Sequence, residues 1–144
     1  MGLRYLPLLL AAVLAALLLS HLVLIELRTE EGEVRRALVL CSSPVTIEFN
    51  HSLTLSPVKL KFRACGELRA EGIETDAGTM EYYSGGFWDV NGSARSFRAE
   101  KISFCSAGGF LVKVGGREEK ISGTCVEISS ARGFKVLLGL LPVP

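Results

Sequence analysis

Glutamine is absent from this sequence, and asparagine occurs only twice, at Asn50 and Asn91. Depletion of thermolabile amides is one mark of proteins from thermophiles. Net charge of either sign is also lacking: 16 Lys+Arg face 15 Asp+Glu over 144 residues. Setting aside Arg4, residues 26–144 carry 15 basic and 15 acidic groups, a net of zero. A neutral domain with interspersed signs lacks the electrostatic footprint of a nucleic-acid binder, so no nucleic-acid partner is expected. With 49% hydrophobic residues, the chain is too apolar and too weakly charged to be disordered. There is no H-E-x-x-H, no G-x-S-x-G, no Walker loop and no G-x-G-x-x-G. The expectation is therefore a protein that is not an enzyme and takes no cofactor. Of the two histidines, only His51 lies beyond the N-terminal apolar segment. No C-x-x-C pair occurs among the four cysteines, which argues against a zinc site.

Charge is missing most conspicuously at the N-terminus. From Tyr5 to Ile25 the chain reads YLPLLLAAVLAALLLSHLVLI. That is about the 20 residues a helix needs to cross a bilayer, with Pro7 in the first turn where its missing N–H costs nothing. A cleaved signal peptide is the alternative, with Arg4 as its basic end. Small residues (Ala11, Ala12, Ala15, Ala16) lie inside the apolar run and no small-x-small site follows it, which favours an uncleaved anchor. Arg4 precedes the run, and Glu26, Glu30, Glu31 and Glu33 follow it. With the cysteines, this flank predicts a cytoplasmic N-terminus and an extracytoplasmic C-terminal domain in a single-pass cell-membrane protein. His21, close to the outer end, reads as a neutral interfacial residue.

All four cysteines, Cys41, Cys65, Cys105 and Cys125, fall in the exported part, and an even count there reads as two disulfides. The apolar period changes to two after residue 34. Val45, Ile47 and Phe49 share one face, as do Val58, Leu60 and Phe62; Phe110, Val112 and Val114; and Thr124, Val126 and Ile128. Turn pairs punctuate these runs: Cys65-Gly66, Asn91-Gly92, Gly108-Gly109 and Gly115-Gly116. Alternation of this kind marks half-buried antiparallel strands. The run Val136–Leu141, apolar on both faces, reads as a central strand. The expected architecture is an antiparallel β-sandwich or small barrel of about eight to ten short strands, preceded by one N-terminal transmembrane helix. Residues 1–27 form the anchor or signal peptide, 28–34 an acidic linker and 35–144 the exported all-β domain. If consecutive strands alternate in direction, Cys41 and Cys65 fall at one end, and Cys105 and Cys125 are related in the same way. Cys41–Cys65 and Cys105–Cys125 are thus the preferred pairs.

Three features stand out as candidate binding elements. His51 and Ser52 follow β-type alternation, whose parity places His51 on the inward face, where an imidazole hydrogen-bonded on both nitrogens pins the following turn. Tyr82, Tyr83 and Trp88 cluster in the Gly-containing stretch 76–90, as a binding surface or as an aromatic core patch. The outward row Lys59, Lys61, Arg63 reads as a solvated face beside Glu48, Glu67 and Glu71 rather than a lipid-headgroup contact. Asn50-His51-Ser52 and Asn91-Gly92-Ser93 also match the N-glycosylation pattern.

Phe49-Asn50-His51-Ser52-Leu53, followed by Pro57-Val58 and Phe62, resembles the signature of the family termed domain of unknown function 1850. Its members read aromatic-x-His-Ser-Val, with Pro-Val six residues after the His; here Leu53 takes the place of the Val. Lys59 and Lys61 stand where members carry an acidic residue, and Asp76-Ala77-Gly78-Thr79-Met80 is a degenerate match to their Gly-Ala-Gly-Leu-Pro-like segment. Members are small exported proteins, commonly encoded beside TAXI-type TRAP transporters. The resemblance implies an accessory role in solute uptake with TRAP transporter subunits as partners; a ligand-binding or structural envelope module unconnected with transport is the alternative.

Overall fold

The computed structural model describes residues 5–83 and 97–140. The apolar N-terminal run does not stay helical to Ile25. Helix α1 (Leu6–His21) gives way at once to strand β1 (Leu22–Thr29). The reason lies in the side chains. Val23, Ile25, Leu27 and Thr29 share one buried face, three of them are β-branched, and Glu26 and Arg28 alternate with them outward. A period of two with a core to fill outweighs continuation of the helix. Among the described residues no helix is long and apolar enough to cross a membrane. The segment 28–34, expected as a linker, instead ends β1 and turns into β2 (Val34–Leu40). Gly32 adopts φ +85° there, and Glu33 N–H donates to Thr29 Oγ1 at 3.1 Å.

The chain continues as β3 (Ser43–Asn50), β4 (Pro57–Ala64), β5 (Leu68–Glu74), α2 (Ala77–Tyr83), β6 (Arg98–Ala99), β7 (Lys101–Cys105), β8 (Phe110–Val114), β9 (Arg117–Ile121), β10 (Cys125–Arg132) and α3 (Phe134–Leu140). Among the described residues ten strands form two antiparallel sheets, ordered β2-β1-β10-β7 and β6-β5-β4-β3-β8-β9. Val23, Ile25, Ile102 and Ile128 of the first sheet join Val45, Leu60, Phe62 and Val112 of the second in one buried cluster. The inward positions expected from alternation at 45–49, 58–62 and 110–114 are all buried. Gly115 and Gly116, at φ +54° and +82°, make the two-residue turn between β8 and β9, where both positions need positive φ. Asn91-Gly92 lies outside the described residues.

Val136–Leu141 is not a central strand. Gly133 (φ +65°) ends β10, whose two neighbours β1 and β7 leave no lane for another strand, and residues 134–140 coil as α3. This helix packs against β1 and β10, buries Val136, and leaves Leu137, Leu138 and Leu140 exposed.

The strands give the molecule two ends. At the proximal end α1 enters β1, Leu22 pairs with Leu40, and Cys41 N–H donates to His21 O at 2.8 Å. At the distal end lie Asn50, Pro57, Phe110 and Ile121. One disulfide closes each end. Cys41–Cys65 joins the two sheets proximally. Cys105–Cys125 links directly paired residues of β7 and β10 distally. The second bridge spans strands separated in sequence by β8 and β9, which lie in the other sheet.

Alkylation of the unfolded, unreduced protein should label no cysteine by mass spectrometry. Replacing either pair by serine should lower the unfolding free energy by roughly 3 kcal/mol for loops of this size, read from the urea midpoint. Labelled thiols, or a midpoint unmoved by the substitutions, would overturn the assignment.

Candidate functional site

The distal end of the six-stranded sheet carries a groove of about 870 Å³. Its apolar wall comes from Phe49, Val58, Phe110 and Ile121, where inward positions of β3, β4, β8 and β9 reach the end of the core. Phe49 and Phe110 meet edge to face at 5.5 Å, a favourable arrangement of ring quadrupoles. Lys59, Glu74 and Lys120 place charge at its margin. Thr75, which also lines the groove, buries its Oγ1 with no partner among the described residues. Gly109 (φ +77°) fixes the mouth: a Cβ there would meet Ile121 O at 2.6 Å. Ser106 Oγ donates to Asn50 O at 3.1 Å and ties the β7–β8 connection to the end of β3.

His51 adjoins this groove, but not on the inward strand face. The strand stops at Asn50, and His51 opens a turn in which its N–H donates to Ser56 O and its carbonyl accepts from Leu55 N–H. Leu55 holds φ +56° in this turn. The imidazole is half-buried and lies 4.9 Å from the Tyr82 ring and 5.8 Å from the Tyr83 ring, both from α2. The structure thus brings three of the sequence candidates together. Ser52 is exposed on the turn and takes no part in the hydrogen bonds of the cluster. Trp88 lies outside the described residues. Burial raises the Tyr83 phenol above its ordinary pKa.

A chain of hydroxyls connects His51 to a carboxylate. Asp76 caps α2: its Oδ1 accepts from Thr79 N–H at 3.0 Å, and its Oδ2 accepts from the Thr79 hydroxyl at 2.7 Å. Bonds from the Ser56 hydroxyl, then from Thr79, hold this carboxyl well below the usual Asp range. An ionised carboxylate only accepts, so Thr79 has spent its proton on Asp76. The Thr54 hydroxyl, 2.6 Å from Thr79 Oγ1, must then donate to it. Thr54 Oγ1 is left to accept, from His51 Nδ1 at 3.1 Å and from Ser56 N–H at 3.4 Å. One contact competes: Thr54 N–H approaches Nδ1 at 3.3 Å and asks that nitrogen to accept. The shorter, anion-terminated chain wins, because hydrogen bonds to charged groups are the stronger. Nδ1 of neutral His51 therefore carries the proton, and Nε2 keeps a lone pair. Such a nitrogen can accept a hydrogen bond from a bound donor. Among the described residues no group of three His, Cys, Asp or Glu stands close enough to hold a metal ion.

Sequence reasoning missed Thr54, Ser56, Asp76 and Thr79. The signal was present for two of them: Asp76-x-x-Thr79 has the spacing of a helix cap. The other two act through a turn with no pattern of its own. Of the row Lys59, Lys61, Arg63, the two lysines lie on an ion-paired outer face, where Lys59 meets Glu48 at 3.5 Å and Lys61 pairs with Glu74; Arg63 pairs with Glu71 and stands apart, lining a second cavity at the proximal end.

No protein family, curated protein or solved structure matches the chain.

Two outcomes test the network. Nitrogen-15 NMR should find neutral His51 as the Nδ1–H tautomer; an Nε2–H tautomer would overturn the hydroxyl chain. Because the Asp76 pKa is depressed on folding, its contribution is present above the ordinary Asp value and is lost as pH falls through the folded one. Asp76→Asn should therefore lower stability at neutral pH and flatten the acid limb below about pH 4, as followed by thermal melts. An acid limb unchanged by the substitution would refute the assignment.

Proposed function

We propose that this protein is a membrane-anchored, extracytoplasmic β domain that acts as an accessory to a TAXI-type TRAP solute transporter through its distal end. The observation that carries the anchoring is α1. It has 16 residues, none of them Asp, Glu, Lys or Arg and none buried, with Leu8 and Leu18 67% and 68% exposed. A helix apolar all round is stable only where something apolar surrounds it. Its rise of about 24 Å falls short of a typical hydrocarbon core of about 30 Å, a mismatch that local thinning of the bilayer accommodates. The acid-rich flank after the helix and the two disulfides support an extracytoplasmic domain.

The transporter reading rests on the resemblance to domain of unknown function 1850, and the geometry lends it one support. Phe49, Asn50, Pro57 and Val58, which carry the resemblance, all line the distal groove, and His51 stands beside it. We read the function as binding rather than catalysis, because the His51 network ends at the exposed carboxylate of Asp76, which is engaged in capping α2. The alternative, a ligand-binding module unconnected with transport, draws on the apolar wall of the same groove.

With an epitope at Pro144, protease added to intact cells should remove the tag; full protection would refute the orientation. A pull-down from detergent-solubilised membranes should bring down a TRAP permease with the wild-type chain. Recovery without any permease would leave the transporter reading unsupported and favour the alternative.

A further inference from the structure

The outer face of the six-stranded sheet is ordered by alternating charge, except at its proximal end. Distal to that end, Lys59 and Lys61 of β4 and Lys113 of β8 each have an acidic neighbour on an adjacent strand. Lys113, for example, meets Glu48 and Glu118, both at 3.2 Å. At the proximal end the register does the opposite. Arg63 of β4 stands directly across from Arg69 of β5, and Arg69 directly across from Arg98 of β6. Three guanidinium groups thus sit side by side on one face. Like charges directly opposite one another destabilise a sheet.

Two further cations approach from the other sheet. Arg132, at the end of β10, and Lys135, on α3, line the same cavity of about 610 Å³ as the three arginines. Acids offset this only in part. Glu71, the extra residue of a bulge in β5, takes Arg63, and Glu100 takes Lys135 at 3.0 Å. Glu67 also lines the cavity. Arg69, Arg98 and Arg132 form no salt bridge among the described residues. Gly66 helps to place Arg132: at φ +80° it leaves room where a Cβ would lie 3.1 Å from the Arg132 Cβ, and Arg132 Nη1 donates to Cys65 Sγ at 3.3 Å. Cys65, bridged to Cys41, also lines the cavity.

Position suggests the counter-ion. This is the end at which α1 enters the domain, and the exposed leucines of α3 and the exposed Leu40 of β2 lie there too. On the membrane reading of α1, on which this inference rests, the arginines stand at the level of the lipid headgroups.

We propose that the cavity formed by Arg63, Arg69, Arg98, Arg132 and Lys135 binds the phosphate of an anionic lipid headgroup in the leaflet that α1 enters. Guanidinium groups suit this, since each presents a planar fork of donors to two phosphate oxygens. Basic pockets next to apolar membrane contacts bind headgroups in this way. The site would fix how the domain sits on the membrane, which a single helical tether does not.

The test uses the full chain in detergent micelles offered equal amounts of phosphatidylglycerol and phosphatidylcholine of the same acyl chains, with retained lipid read by native mass spectrometry. Wild-type protein should favour phosphatidylglycerol by about tenfold, and R69A/R98A should bring the two lipids to near parity. Both positions are exposed, so the melting temperature should show the variant folded. Equal retention by wild type, or a preference that survives R69A/R98A, would overturn the site. A free-phosphate arm separates the sources. If millimolar inorganic phosphate in lipid-free micelles shields Arg69 and Arg98 from phenylglyoxal as fully as phosphatidylglycerol does, the lipid assignment fails. Flotation with phosphatidylcholine vesicles tells the two readings apart. Wild type and R69A/R98A should both float through α1; flotation without headgroup preference defeats only the cavity, whereas failure of wild type to float defeats the membrane anchor and the headgroup site with it.

Discussion

Between His21 and Leu22 a continuous apolar run stops being a helix with no buried residue and becomes a strand buried on its inner face. The same residue types serve two different surroundings, and the change is enforced by the core. β1 lies inside the four-stranded sheet, paired on both sides, so Val23, Ile25 and Leu27 are held by β2, β10 and the facing sheet at once. No flexible linker intervenes. The direction of α1 is therefore set by the sheet, and one end of the domain is committed to whatever surrounds that helix.

From this junction follows a division of labour between the ends. Strands of eight residues, rising about 3.3 Å each, separate them by about 26 Å. The proximal end gathers the arginine ladder, exposed leucines and the bridge between sheets. The distal end gathers the groove, the His51 hydroxyl chain and the cross-strand disulfide. Between them the outer face of the larger sheet is neutralised pair by pair, and exposed ion pairs of this kind contribute little to stability.

The β architecture was legible because alternation is a direct record of burial. Phe49, Val58, Phe62, Val112 and Ile128 could be placed on inner faces without any tertiary information. Disulfide pairing was legible for the same reason, since strand parity decides which cysteines share an end. What alternation does not record is where a strand begins inside an apolar run. Leu22–Ile25 look alike to a helix and to a strand, and hydropathy alone extends the helix into them. Residues 134–140 failed from the opposite side: their apolar character suited a central strand, but only the occupied lanes beside β10 reveal that none was available. The arginine ladder was hidden because register is not in the sequence. Arg63, Arg69 and Arg98 are six and 29 residues apart, and only pairing sets them abreast.

His51 lies on a different face from the one parity assigns it. Parity carried it inward with Val45 and Ile47, yet the strand ends one residue earlier and the imidazole turns toward α2. Its partners come from three separate stretches, the turn at 51–56, the cap at Asp76 and the first helical turn at Thr79. Each link is local and weak on its own. The order in which donors and acceptors must alternate gives the chain its direction, because a carboxylate at one end leaves every hydroxyl a single way to point. On the proposed anchoring, that polarised end stands farthest from the bilayer. Any subunit that meets it must itself project about 26 Å above the membrane surface, so the strand length of the domain sets which surfaces of a transporter it can reach.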